Sequence, residues 1–142
     1  MAERIRISII TPGAEKFGGE AELVVAPGAA GDLGALAHHA PLLTTLRPGV
    51  VRVITGPAAP DSSTAQRLEF AVPGGFMEVL PDKVVILTDE ALSRDDVGVE
   101  DARARLQRAQ EALAQKKGDE DAFERRQLAF AEALVEVTRR PV

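Results

Sequence analysis

The sequence predicts a β-rich domain, a sandwich or barrel, followed by an antiparallel pair of α-helices. Three observations lead there: short alternating stretches up to residue 94, glycine and proline punctuation between them, and helical spacing of apolar residues afterwards.

The β-rich stretches are 4–10, 20–26, 50–55, 67–72, 76–80 and 83–88. In Arg4-Ile5-Arg6-Ile7-Ser8-Ile9 and in Val51-Arg52-Val53, side chains of one type recur at every second position and so share one face of a strand. Turn signals separate the stretches: Thr11-Pro12-Gly13, Phe17-Gly18-Gly19, Pro27-Gly28, Pro48-Gly49, Gly56-Pro57, Pro73-Gly74-Gly75 and Pro81-Asp82. Glycine supplies positive φ and proline presets the turn. Residues 56–66, rich in Ala, Pro and Ser, read as a flexible hairpin tip.

After residue 94 the period becomes helical. Val99, Ala102, Leu106, Ala109 and Leu113 form one narrow apolar stripe, with Asp95 and Asp96 placed to cap its start and Lys116-Lys117 to favour its end. Gly118 breaks the helix, and Asp119 or Asp121 caps a second one. There Phe123, Phe130, Leu134 and Val137 lie near one face beside Ala122, Ala129 and Ala133. Residues 1–94 and 95–142 are therefore read as two units. The Ala-rich hairpin buries too little to stand alone, at ~1.5–3 kcal/mol per large side chain, and needs a third surface.

Composition narrows the functions. Hydrophobic residues are 45% and charged residues 27% of 142, too apolar for disorder, while aromatics are 4% with no Trp or Tyr. No apolar run approaches the ~20 residues of a membrane-spanning helix, so membrane association is expected only through a partner. Residues 1–6 have neither signal-peptide nor transit character. Cysteine is absent, which removes disulfides and thiolate chemistry. The net charge of −5 falls on residues 1–96, with 8 basic against 13 acidic groups; residues 97–142 balance at 9 against 9. Nucleic-acid binding is not expected.

No catalytic set emerges. Gly28-x-x-Gly31-x-x-Gly34 lacks the Gly-Lys-Ser/Thr ending of a phosphate loop, so turn glycines are the preferred reading. His38-His39 point to opposite sides of an extended segment, which argues against a metal site. Acidic pairs at helix starts read as caps rather than acid–base groups. Arg103, Arg105, Arg108, Arg125 and Arg126 read as a solvated helix face.

Three blocks carry a family resemblance. Val24 to Gly34, ending Gly31-Asp32-Leu33-Gly34, leads into His38-His39-Ala40-Pro41-Leu42 and Pro48-Gly49; then come Gly74-Gly75-Phe76-Met77-Glu78-Val79 and Lys83-Val84-Val85-Ile86-Leu87. In order and spacing they resemble the epsilon subunit of the F-type (rotary) ATP synthase, over nearly the whole chain. The resemblance implies a β-sandwich of about ten strands with two C-terminal helices. It also implies a non-catalytic rotor subunit that joins the gamma subunit to the c ring. The helices would inhibit ATP hydrolysis when extended towards the alpha and beta catalytic subunits, where their positive groups meet an acidic segment of beta. Asp32 matches the turn position facing the c ring, and His39 the family histidine; His38 replaces a usual Gly and Pro73 a common Ser. No cofactor is implied, except regulatory ATP in some members. Their motif is matched by Glu100, Arg103 and Ala104, with Glu in place of Asp and two extra residues before it. An i,i+3 surface pair worth a few tenths of a kcal/mol is the preferred reading of Glu100 and Arg103, and ATP ligation the alternative. The implied location is the cytoplasmic side of a bacterial plasma membrane. A nucleotide-sensing module that does not inhibit remains a second hypothesis, and an unrelated scaffold a third.

Overall fold

The computed structural model describes residues 3–56, 66–116 and 121–139. Nine strands come first: β1 (Ile5–Thr11), β2 (Ala14–Ala21), β3 (Leu23–Gly28), β4 (Gly31–Ala35), β5 (Leu42–Leu46), β6 (Gly49–Ile54), β7 (Arg67–Val72), β8 (Gly75–Val79) and β9 (Lys83–Leu87). Helices α1 (Val99–Gln115) and α2 (Ala122–Arg139) follow. This is the β-sandwich and two-helix order the sequence predicts, with nine strands described against about ten implied.

The strands run β2-β1-β9-β8-β5-β3-β6-β7, with β4 on the other edge of β3. The path bends where β5 meets β3, through the single pair Gly28 with Leu46. Two layers result, β2-β1-β9-β8-β5 and β4-β3-β6-β7, whose inner faces share one core. Alternation explains that core. Ile5, Ile7 and Ile9 of β1 are fully buried, as are Val84 and Ile86 of β9 and Met77 and Val79 of β8. From the other layer come Val24, Val51, Val53, Phe70 and Val72. β1 and β9 pair in parallel, and the other pairings are antiparallel.

Several local expectations are corrected. Phe17-Gly18-Gly19 lies inside β2 and Pro27-Gly28 inside β3; the turn after β3 is Ala29-Ala30. Strands β4 and β5 occupy residues not read as strand from their pattern. Asp95 and Asp96 do not cap α1, whose N-cap is Gly98 without a side-chain bond. The carboxylate of Asp96 instead accepts the backbone N–H of Ser93 at 2.9 Å and lies 2.7 Å from the Lys16 ammonium. Lys116 is the C-cap of α1, and no basic residue occupies its last turn. Residues 57–65 and 117–120, holding most of the expected hairpin tip together with Lys117, Gly118 and Asp119, lie outside the described residues.

Two positions need their backbone. His38 has φ 68°, the left-handed region where glycine, the residue the resemblance leads one to expect there, meets no Cβ clash. Gly75 has φ +136°, and a Cβ there would stand 2.1 Å from the Leu87 carbonyl oxygen of β9. Gly75→Ala is expected to destabilise the fold by on the order of 3 kcal/mol, read as a lower denaturation midpoint. A loss below ~1 kcal/mol would contradict this reading of the β8–β9 approach.

Candidate functional site

No catalytic constellation is found among the described residues, and no group of three or more His, Asp or Glu side chains is placed to hold a metal. What the fold builds is two outward-facing surfaces, one open and one covered.

The open surface is the outer face of β1, β9, β8 and β5. Register aligns Ile10 with Leu87, Leu87 with Phe76, and Phe76 with Thr45, so one row crosses four strands. Ile10, Leu87 and Phe76 are 36%, 49% and 54% exposed, and Leu43 in the next row is 70% exposed. Single exposed apolar residues are ordinary, but these are aligned by register into one outward apolar strip.

The covered surface is the outer face of β6 and β7. Val50 and Ala71 point away from the sandwich core into a second cluster with Phe130, Ala133, Leu134, Val135 and Val137 of α2 and Ala102 of α1. Phe130 is 1% exposed and Leu134 fully buried. The hairpin's third surface is thus the sandwich. At ~1.5–3 kcal/mol per large buried side chain, this seat stabilises the docked helices.

Charged groups rim the seat. Arg52 on β6 lies 3.4 Å from a Glu69 oxygen on β7 and donates to Glu136 on α2 at 3.1 Å, tying sheet to helix. The Arg105 guanidinium stacks 4.9 Å over the Phe130 ring and stands 3.8 Å from Glu90. Arg125 pairs with Asp121 at 2.9 Å, one turn away in sequence. Arg126 donates to the Pro73 carbonyl at 3.4 Å. Arg105, half-buried over Phe130, departs from the solvated-face reading; Arg103, Arg108, Arg125 and Arg126 are exposed as expected, the last two with surface contacts.

The segment entering α1 is fastened to the sandwich. The buried Thr88 hydroxyl lies 2.7 Å from the Gly74 carbonyl and 3.0 Å from that of Glu90, sharing its one proton between them. Leu92 bridges to Ala71, and Asp96 closes onto Lys16 and Ser93. The hydrogen bond from Lys16 and those from Ser93 hold the Asp96 carboxyl below its ordinary value of 3.8, against the opposing effect of burial.

The site residues expected from sequence fall as follows. Asp32, on β4, accepts a 2.7 Å bond from Arg47, whose guanidinium also reaches the Gly28 carbonyl. His39 lies in the loop after β4, with Nδ1 2.6 Å from the Ala40 carbonyl oxygen, and no bond joins it to Asp32. Glu100, Arg103 and Ala104 are exposed on α1 and line neither of the two described clefts. Gly28 and Gly31 pair at the ends of β3 and β4 beside the turn, while Gly34 lies inside β4 opposite Val25, so only the first two flank a turn. Sequence reasoning missed the exposed row and the Arg52 tie; Phe76 beside two glycines was a signal, but Arg52 to Glu136 spans 84 positions.

Family models match both parts: the ATP synthase delta/epsilon chain β-sandwich domain over residues 4–94, and its long α-helix domain over 95–137. The chain belongs to the ATP synthase delta/epsilon family. It is 41% identical to the ATP synthase epsilon chain of Desulforamulus reducens over 134 residues, spanning 94% of this chain and 95% of that one. The epsilon chain of Paramagnetospirillum magneticum is 38% identical over 135 residues, with 94% and 96% covered. Among solved structures, the fold matches a chain of the Euglena gracilis mitochondrial ATP synthase OSCP/F1/c-ring structure with TM-score 0.68 at 21% identity, covering 90% of this chain and 76% of that one. As an epsilon chain it is a non-catalytic subunit. No helix among the described residues is long and apolar enough to cross a membrane.

Two outcomes check this geometry. Phe130→Ala removes the largest buried side chain of the seat and is expected to cost ~3–5 kcal/mol, read as faster amide exchange in α1 and α2 than in β1 and β9. The Asp96 contribution has a pH sign: a carboxyl lowered by folding stabilises fully above 3.8 and loses that stabilisation as pH falls through its lower folded value. Asp96→Asn should therefore flatten acid destabilisation in that window, as followed by urea unfolding at stepped pH.

Proposed function

We propose that this chain is a rotor subunit of a proton-translocating F-type ATP synthase, joining the gamma subunit to the c ring and restraining ATP hydrolysis through its two helices. One observation carries the reading: the hairpin is seated on a cluster separate from the sandwich core. Among the described residues, only Val50 and Ala71 of the strands contribute to that cluster. The helices can therefore leave without opening the sandwich, as a bistable regulator requires.

Other observations support the partners. The exposed row of Ile10, Leu87 and Phe76 gives a subunit such as gamma an apolar face to grip. Asp32, outward on β4 and held by Arg47, is offered as the c-ring contact, with His39 in the adjoining loop. A structural neighbour from Tetrahymena thermophila belongs to a mitochondrial central stalk/c-ring assembly, at TM-score 0.57 and 14% identity, with 96% of this chain and 94% of that one covered. In the extended state the helices would meet the alpha and beta subunits. The complex would hold the chain on the cytoplasmic side of a bacterial plasma membrane.

Deleting residues 97–142 should raise ATP hydrolysis by the assembled complex without preventing assembly. Unchanged hydrolysis would remove the inhibitory role and leave the coupling role standing. Asp32→Arg should lower the ratio of ATP made to protons moved, and full coupling would remove Asp32 from the c-ring contact.

A further inference from the structure

At one end of the sandwich the outward apolar row runs into an open cleft of about 810 Å³. Ile10, Phe76 and Leu87 line its mouth, so cleft and row are one continuous surface. The lining also draws on the other part of the molecule: Arg126 of α2.

Arg126 is exposed and reaches back to the turn between β7 and β8. Its Nη2 lies 3.4 Å from the Pro73 carbonyl, across the turn between β7 and β8. Gly74 in that turn has φ +129°, and a Cβ there would sit 2.7 Å from Arg126 Nη2. The positive φ itself favours glycine at 74, and the bare Cα leaves the guanidinium room beside the turn. Arg126 has no carboxylate within 4.0 Å among the described residues. Its neighbour Arg125 is paired with Asp121, and Arg47, which also lines the cleft, is engaged by Asp32 and the Gly28 carbonyl. The lining also holds one carboxylate, Asp89. Among the described residues Arg126 is therefore the cleft cation with no carboxylate partner, beside apolar side chains that already face outward.

We propose that the cleft takes an acidic side chain of the subunit that docks on the apolar row, with Arg126 as its partner. This rests on the reading that the row is the gamma-binding face, and it adds a consequence. A guanidinium fork suits a carboxylate, and an apolar surround strengthens the pair by excluding water. Because Arg126 belongs to α2, the docked hairpin completes the partner's site. Partner binding and hairpin docking then reinforce one another by the same factor, as linkage requires. When the helices leave, the partner keeps the row and loses the cation.

The test measures binding of gamma to the full-length chain by calorimetry at low and high salt, with amide exchange followed in α2. Phe76→Glu, which charges the row, should abolish binding. Arg126→Ala should weaken binding about tenfold at low salt and less at high salt. Arg126→Lys should recover part of the loss. Gamma should slow α2 exchange in the unaltered chain and leave it unchanged in Arg126→Ala. Full affinity in Arg126→Ala, with binding lost in Phe76→Glu, overturns the cleft proposal and leaves the docking face intact. Unaltered affinity in both variants overturns the face and the cleft together. Weaker binding with α2 exchange slowed equally in both chains also overturns the coupling.

Discussion

Strands β6 and β7 are buried on both faces, and the arrangement of the whole chain follows from that double burial. Inward, Val51, Val53, Phe70 and Val72 join the isoleucines of β1 in the sandwich core. Outward, Val50 and Ala71 receive Phe130 and Leu134 of α2. A strand buried on one face alternates, whereas one buried on both reads as a continuous apolar run, as Val50-Val51 and Phe70-Ala71-Val72 do. The same backbone is thus the wall of one core and the floor of another. Neither can shift its register without turning core side chains outward.

The two clusters differ in character. The sandwich core is closed by strands on both sides and filled by Ile, Val and Met side chains that are fully buried. The hairpin seat is shallow, with alanines at several of its contacts, and its rim is charged. Partly exposed ion pairs such as Arg52 with Glu136 contribute modestly and mainly fix orientation. Free energy holding the hairpin down is therefore concentrated in a few side chains. The sandwich does not share that dependence.

Legibility in the sequence followed the range of the forces. Arg4 to Ile9 declared β1 because alternation is local, and the 3-and-4 spacing from Val99 to Leu113 declared α1 for the same reason. Strands β2 and β4 were hidden by their glycines: Gly18 and Gly19 look like a turn until β1 pairs with them, and Gly31 and Gly34 lie on an edge strand. Capping was misread because Ser93 and Lys16 outcompete the helix for Asp96. The surfaces were least legible. Ile10, Leu87 and Phe76 are apart in sequence and become a row only through one parallel and one antiparallel pairing. Asp32 and His39 came from family resemblance rather than from pattern, and the Arg47 partner of Asp32 is 15 positions away.

The shallow seat also constrains how the helices could move. An extended hairpin would return Phe130, Leu134 and Val137 to water and uncover Val50 and Ala71 at the same time. At ~25 cal/mol per Å² of apolar surface, that exposure opposes departure on both sides of the seat. Charge cannot offset it, since the ions freed from the rim gain hydration and lose their partners in comparable measure. Extension therefore needs another apolar surface for the helices in place of Val50 and Ala71. The equilibrium is set by how much better a neighbouring subunit holds the helices than Val50 and Ala71 do. A chain free in solution should rest in the docked form, and any departure of the helices then depends on what a neighbouring subunit offers them.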